Sequence, residues 1–166
     1  MRATHEELFE RLAELGIATT TVKHSPVFTV EEAKAHRGEL AGSHIKNLFL
    51  RNKKRAMWLV ILVEDRRLDL KALGKRIGAG HVSFARPERL REYLGVEPGA
   101  VTPFAVINDP EGHVSVTIDA AALRQDPIQA HPLRNDMTTA IAADDLLRFL
   151  RACGHQPAIV DFDEEK

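Results

Sequence analysis

The residues most able to do chemistry in this chain begin with Lys46 and Asn47, inside "GSHIKNLFLRNKKR". The stretch reads as a strand that alternates and then turns strongly basic, and period-two alternation puts Lys46 on the face of Leu48 and Leu50. A buried ammonium without a partner is costly, so such a lysine either snorkels to the rim or serves a site. Asn47 falls on the opposite face unless the strand opens with a bulge. A second stretch, "AHPLRND", holds His131 before Pro132 in a non-helical segment. That histidine is either a hydrogen-bonding group held by a rigid turn or an ordinary surface residue. A third, "PGAVTP", carries Gly99, whose freedom lets a loop present backbone N–H groups to an oxyanion or phosphate, although such loops are common.

More familiar machinery is missing. The sequence has no G-x-x-x-x-G-K-[ST], no G-x-G-x-x-G between a strand and a helix, no G-x-S-x-G elbow and no H-E-x-x-H. The 8 histidines are scattered without helical metal-ligand spacing, so neither a metal nor another cofactor is expected. Cys153 is the single cysteine, which excludes an internal disulfide, and its helical neighbours Leu150 and Ala152 suit a small buried thiol. "GKRIGAG" follows a helical pattern and reads as a helix terminus.

The elements that must position these groups follow from periodicity and punctuation. Thr4 with Glu7 forms a capping-box pattern ahead of Leu8, Leu12 and Leu15, and Thr29 with Glu32 repeats it for a short second helix. "IATTTVKH" is a strand, and the runs 45–51 and 56–63 around "NKK" make a hairpin. "LDLKALGKRIG" is a helix, "HVSFA" a strand, "RPERLREYLG" a short helix with Pro87 in its first turn. "FAVIND" and "HVSVTID" around "PEG" suggest a second hairpin. "MTTAIA" is a strand, "ADDLLRFLRACG" the last long helix and "QPAIVDF" a final strand. The strands come in hairpins, so the expected fold is α/β: one compact domain over 1–166, a mixed and mainly antiparallel sheet surrounded by helices.

Composition sets the class. A chain of 166 residues with 44% apolar and 28% charged residues is ordinary for a globular protein with a real core. It shows no membrane-length apolar run and no signal peptide, so the expected compartment is the cytoplasm. The net charge of −1 conceals an asymmetry: residues 51–92 hold twelve Lys/Arg against five Asp/Glu, and residues 93–166 hold five against twelve. The basic segment suits a polyanion such as a phosphate backbone, or is simply a solvated surface balanced by acidic neighbours.

Four stretches in order, "HSPVFTVEEA", "GSHIKNLFL", "LGVEPGAVTPFAVIND" and "HPLRNDMTTAIAADDLLRFL", resemble the YbaK/ProX family of aminoacyl-tRNA editing domains over about residues 5–163. The alanine-specific free-standing branch, ProXp-ala, is the most similar. The resemblance implies a trans-editing deacylase that hydrolyses the ester of mischarged Ala-tRNA(Pro). It implies catalytic roles for Lys46, Asn47 and His131, a 3′-end contact at Gly99, and an amino-acid pocket lined by Phe28, Val30 and Ile45. Mischarged tRNA(Pro) would be the partner, with prolyl-tRNA synthetase a further one. Alternatives that stay open are the same chemistry on Cys- or Ser-tRNA and a nucleic-acid-binding module without catalysis.

Overall fold

The computed structural model describes residues 2–24 and 41–163. Phe28, Val30 and the second expected helix lie outside the described residues.

The first helix, α1 (His5–Glu14), starts where the capping box predicts. Glu7 N–H donates to the Thr4 hydroxyl at 3.1 Å, and Thr4 N–H donates to the Glu7 carboxylate at 3.0 Å. Two backbone donors that the helix itself leaves orphaned are thereby satisfied. Leu8 and Leu12 then point into the core.

After β1 (Thr19–Lys23) and the undescribed stretch come the two central strands, β2 (Ser43–Asn52) and β3 (Met57–Val63). They form the expected antiparallel hairpin. The Asn52 side chain closes its turn by accepting from Lys54 N–H and Ala56 N–H, each at 3.0 Å. Pairing runs unbroken from Ile45 opposite Val63 to Arg51 opposite Met57, so no bulge intervenes at Lys46 or Asn47.

The remaining strands are β4 (Val82–Phe84), β5 (Val114–Asp119), β6 (Ile128–Ala130), β7 (Met137–Ile141) and β8 (Ala158–Val160). The sheet order is β1-β7-β6-β2-β3-β5-β8, with β4 added on β2. Four contacts are antiparallel and three, β2–β6, β3–β5 and β5–β8, are parallel. The sheet is therefore mixed and mainly antiparallel, as expected. Among the other helices, α2 (Leu70–Arg76) is capped by Asp69, α3 (Pro87–Arg89) runs on into a π-helical turn, Leu90–Leu94, and α4 spans Ala143–Ala152.

One expected hairpin does not form. Residues Pro103–Asn108 are a buried 3-10 helix, with the Thr102 hydroxyl accepting from Phe104 N–H, and β5 pairs in parallel with β3. A short apolar run has no periodicity to separate a buried strand from a buried helix, which is why "FAVIND" misleads.

The hairpin divides two apolar clusters. Phe49, Leu59 and Ile61 face the larger one with Leu8, Leu12, Phe104 and Phe149. Leu50, Val60 and Leu62 face a smaller one closed by Leu73 of α2 and by Val82. No helix among the described residues is long and apolar enough to cross a membrane.

Candidate functional site

The strand β2 is shared by two short neighbours on a single edge. Its other edge is held by β3, which reaches back to His44 through a Glu64 N–H to His44 carbonyl bond of 2.9 Å. On the shared edge β6 pairs only with Ser43 and His44, and β4 only with Leu50, Arg51 and Asn52. Ala85 N–H adds one bond to the Phe49 carbonyl. Between these ladders, from Ile45 to Leu48, the edge carries no strand partner among the described residues. Lys46 and Asn47 sit in this opening and project to opposite faces.

Lys46 faces the smaller cluster, beside its cross-strand partner Leu62. Its ammonium donates to the Arg66 carbonyl, in the turn that leaves β3. The turn itself is clamped. The Arg66 guanidinium grips Asp119 at 2.6 and 3.3 Å and Asp163 at 3.0 Å, and the two carboxylates raise its already high pKa further. Asp119 is fully buried and also accepts from Val63 N–H at 3.2 Å and Ala121 N–H at 3.0 Å. Phe162 lies beneath both Arg66 and Arg76, with the guanidinium carbons 5.7 and 5.9 Å from its ring centre. Lys46 thus does not snorkel freely: the chain following β8 fixes the turn that holds it.

Asn47 faces the larger cluster with Ile45 and Phe49. Its Oδ1 is buried and has no hydrogen-bond partner among the described residues. Native structures leave few such atoms unpaired, because each costs about 1–3 kcal/mol. An acceptor in this position can take an N–H or O–H from a ligand.

His131 directly follows β6. Ser43 pairs with Ile128 and His44 with Gln129, so the parallel register carried two residues further is the level of Lys46 and His131. The His131 Nδ1 donates to the Met137 carbonyl at 2.9 Å, which leaves Nε2 of the neutral ring with a free lone pair. Burial pushes its pKa below the usual histidine value and the His24 ring acts in the same direction, while the Met137 carbonyl and Asp136 oppose them. His24, absent from the sequence-based site, directly follows β1 and stands 6.2 Å from His131 between ring centres. The pairing of Lys23 with Met137 brings it there, and no local sequence signal marks it.

Gly99 belongs to a 3-10 turn, Pro98–Ala100, closed by Ala100 N–H to the Glu97 carbonyl at 2.8 Å. It is not among the glycines with a left-handed φ, so the turn does not need a glycine's conformational freedom. No hydrogen bond joins it to Lys46, Asn47 or His131. The residues after it, Ala100 and Val101, pack in the same cluster as Ile45.

Two surface cavities, of about 290 and 320 Å³, lie elsewhere and include none of these residues. The first is lined partly by Cys153, whose thiol burial pushes up to about 11, as suits an inert buried sulfur.

The mixed sheet of eight strands among the described residues, with helices packed against it, defines the class: a compact α/β domain. The aminoacyl-tRNA editing domain family model matches residues 24–149, and the chain belongs to that family. Among curated proteins, the prolyl-tRNA synthetase associated domain-containing protein 1 of Mus musculus is 40% identical over 162 residues, covering 95% of each chain. The prolyl-tRNA editing protein ProX of Acetoanaerobium sticklandii is 36% identical over 151 residues, covering 90% of this chain and 92% of its own. Of solved structures, a candidate trans-editing enzyme for prolyl tRNA synthetase aligns with a TM-score of 0.72 at 22% identity, over 99% of this chain and 100% of that one. The hypothetical protein APE2540 gives a TM-score of 0.73 at 19% identity, over 93% and 97%. At these identities the structural likenesses speak for the fold alone.

Proposed function

We propose that this protein is a trans-editing aminoacyl-tRNA deacylase that hydrolyses the ester of alanine mischarged on proline tRNA. The observation that carries the reading is the orphaned Asn47 acceptor beside Lys46 on the unpaired stretch of β2. Family membership and the names of the relatives at 36–40% identity support it.

An aminoacyl ester is already activated, so its hydrolysis asks for placement and charge stabilisation more than for a strong base. A 3′ end lying along the open edge meets groups from both faces of β2. Lys46 contacts the ester or the terminal ribose and phosphate and steadies the negative charge that develops on the carbonyl oxygen. Asn47 Oδ1 accepts from the substrate's α-ammonium, filling its vacant hydrogen bond. His131, neutral near pH 7, offers Nε2 to the attacking water or to the free ribose hydroxyl. Water adds to the carbonyl carbon, the ester C–O bond breaks, and the ribose oxygen leaves with a proton. No covalent enzyme intermediate forms. Backbone N–H groups near Gly99 receive the terminal adenosine, and Phe28, Val30 and Ile45 bound the amino-acid pocket.

A second, small pocket is what such discrimination requires, because a missing methylene is worth only about 1–3 kcal/mol to a synthetase. The basic segment 51–92 meets the acceptor stem through phosphates. Prolyl-tRNA synthetase is the natural supplier of the mischarged substrate.

Purified protein presented with Ala-, Ser-, Cys- and Pro-tRNA tests the reading. Release of alanine from tRNA(Pro), with proline left intact, is expected. Faster clearance of Ser- or Cys-tRNA moves the substrate to those amino acids, and binding of tRNA with no turnover of any ester overturns the enzymatic reading.

A further inference from the structure

The most exposed large apolar side chain among the described residues is Phe84, at 59%. A lone apolar residue on a surface needs no explanation by itself, but the surroundings of this one do not fit a chance exposure. Phe84 pairs with Leu50 on β2 and therefore lies on the same sheet face as Lys46 and Leu48. Leu50 and Lys46 are four residues apart, about 13 Å at the rise of a strand. The unpaired edge of β2 runs between the two positions. Ala85 N–H, bonded to the Phe49 carbonyl, is the last tie before the chain turns away, so Phe84 stands at one end of the opening and His131 at the other.

The flanking charge is mainly positive. Arg86 follows Phe84 by two residues and Arg89 lies in the short helix beyond, with Glu88 the one acidic residue between them. Lys75 comes from the last turn of α2, which packs so closely on the chain entering β4 that a Cβ on Gly74 would stand 2.0 Å from the Gly80 carbonyl oxygen. Arg66 and Arg91 in the same basic segment bind carboxylates, while among the described residues no ion pair engages Arg86, Arg89 or Lys75.

We propose that Phe84 is a stacking platform for an unpaired base of the RNA 3′ end, with Arg86 holding the adjoining phosphate. This rests on the deacylase reading for its direction, since the ester lies at Lys46 and the preceding bases then run toward Phe84. An aromatic face flanked by cations is what single-stranded nucleic acid uses, because every base offers a π-face whatever its identity. RNA phosphates would also supply the counter-charge that Glu88 alone does not give to Arg86, Arg89 and Lys75.

The test uses an uncharged RNA microhelix with a single-stranded 3′ ACCA, labelled at its 5′ end, and copies carrying one abasic position in that tail. Phe84→Ala and Phe84→Leu are expected to weaken binding about fivefold to a hundredfold, and Phe84→Trp to retain it. Wild type should lose a similar factor when the stacked base is removed, and Phe84→Ala should lose nothing further on that abasic RNA. KM for mischarged tRNA should rise by the same factor in Phe84→Ala. Thermal melts of the variants should match wild type, since the ring is exposed. Equal affinity of wild type and Phe84→Ala for the intact microhelix overturns the proposal. So does a Phe84→Ala protein that binds RNA normally but loses a captured synthetase. Stacking without any ester hydrolysis supports this inference and sinks the deacylase reading; hydrolysis without Phe84-dependent binding does the reverse.

Discussion

The two faces of β2 treat their polar residues in opposite ways. On the smaller cluster's face, Lys46 is anchored: its ammonium is bonded to the Arg66 carbonyl, and Arg66 is locked by Asp119 and Asp163. On the larger cluster's face, the half-buried Asn47 has a buried acceptor that nothing in the described chain fills. The charged residue, costlier to bury, has been given a positioned partner. The neutral one has been left incomplete, at a cost the fold can carry. The difference teaches that one face supplies rigidity and the other supplies vacancy. The proposed deacylase reading uses both.

The comparison breaks most severely if the clamp is removed. Asp119→Ala takes away a fully buried carboxylate that joins β3, Arg66 and the 3-10 turn after β5, and a loss of roughly 3–5 kcal/mol is expected in urea denaturation. Deacylation should fall with it, because the carbonyl that places Lys46 is no longer fixed. A stability change under about 1 kcal/mol would show that the clamp is ornamental.

Removing the lysine itself should leave the fold nearly untouched. Lys46→Ala is expected to slow alanine release from tRNA(Pro) about a hundredfold to a thousandfold in single-turnover measurements, the size of losing one donor to a developing oxyanion. An unchanged rate would end the assigned role.

Asn47→Leu probes the vacancy. Replacing an unpaired buried amide by an apolar side chain of similar size should raise stability by about 1 kcal/mol, while deacylation drops at least about tenfold. A variant that is both less stable and fully active would show that Asn47 has a partner in the native protein.

The smallest effect concerns pH. His131 has a folded pKa below its unfolded value near 6.5, so the unfolded chain binds more protons across that interval. The stability contributed by its neutral form is complete above about 6.5 and is lost as the pH falls through the lowered folded value. Activity should follow the same limb, holding through pH 6.5 and declining below it, and His131→Asn should flatten that decline. A wild-type profile that falls from pH 7 downward would mean another group controls the step.

Much of this was legible from local signals. The capping box at Thr4, the alternation from Ile45 to Leu50 and the Asn52 turn each involve residues a few positions apart, and the structure realises them. The faces of Lys46 and Asn47 followed from alternation alone. The buried 3-10 helix at Pro103–Asn108 was misread because an apolar run buried on all sides has no period. The three-residue strand β6 went unseen because it is too short to carry a pattern.

The sequence by itself determined the hairpin, its two faces and the basic segment that follows, since these depend on alternation, turn chemistry and composition. Only the tertiary structure decided that Ser43 would pair in parallel with Ile128, and that Asp119 would hold Arg66 beneath the lysine. Such contacts join distant segments through ladder hydrogen bonds and buried charge, and neither leaves a periodic trace in the residues that make them. The opening along β2, with Lys46, Asn47 and His131 around it, is therefore a product of topology acting on side chains that the sequence had already sorted to their faces.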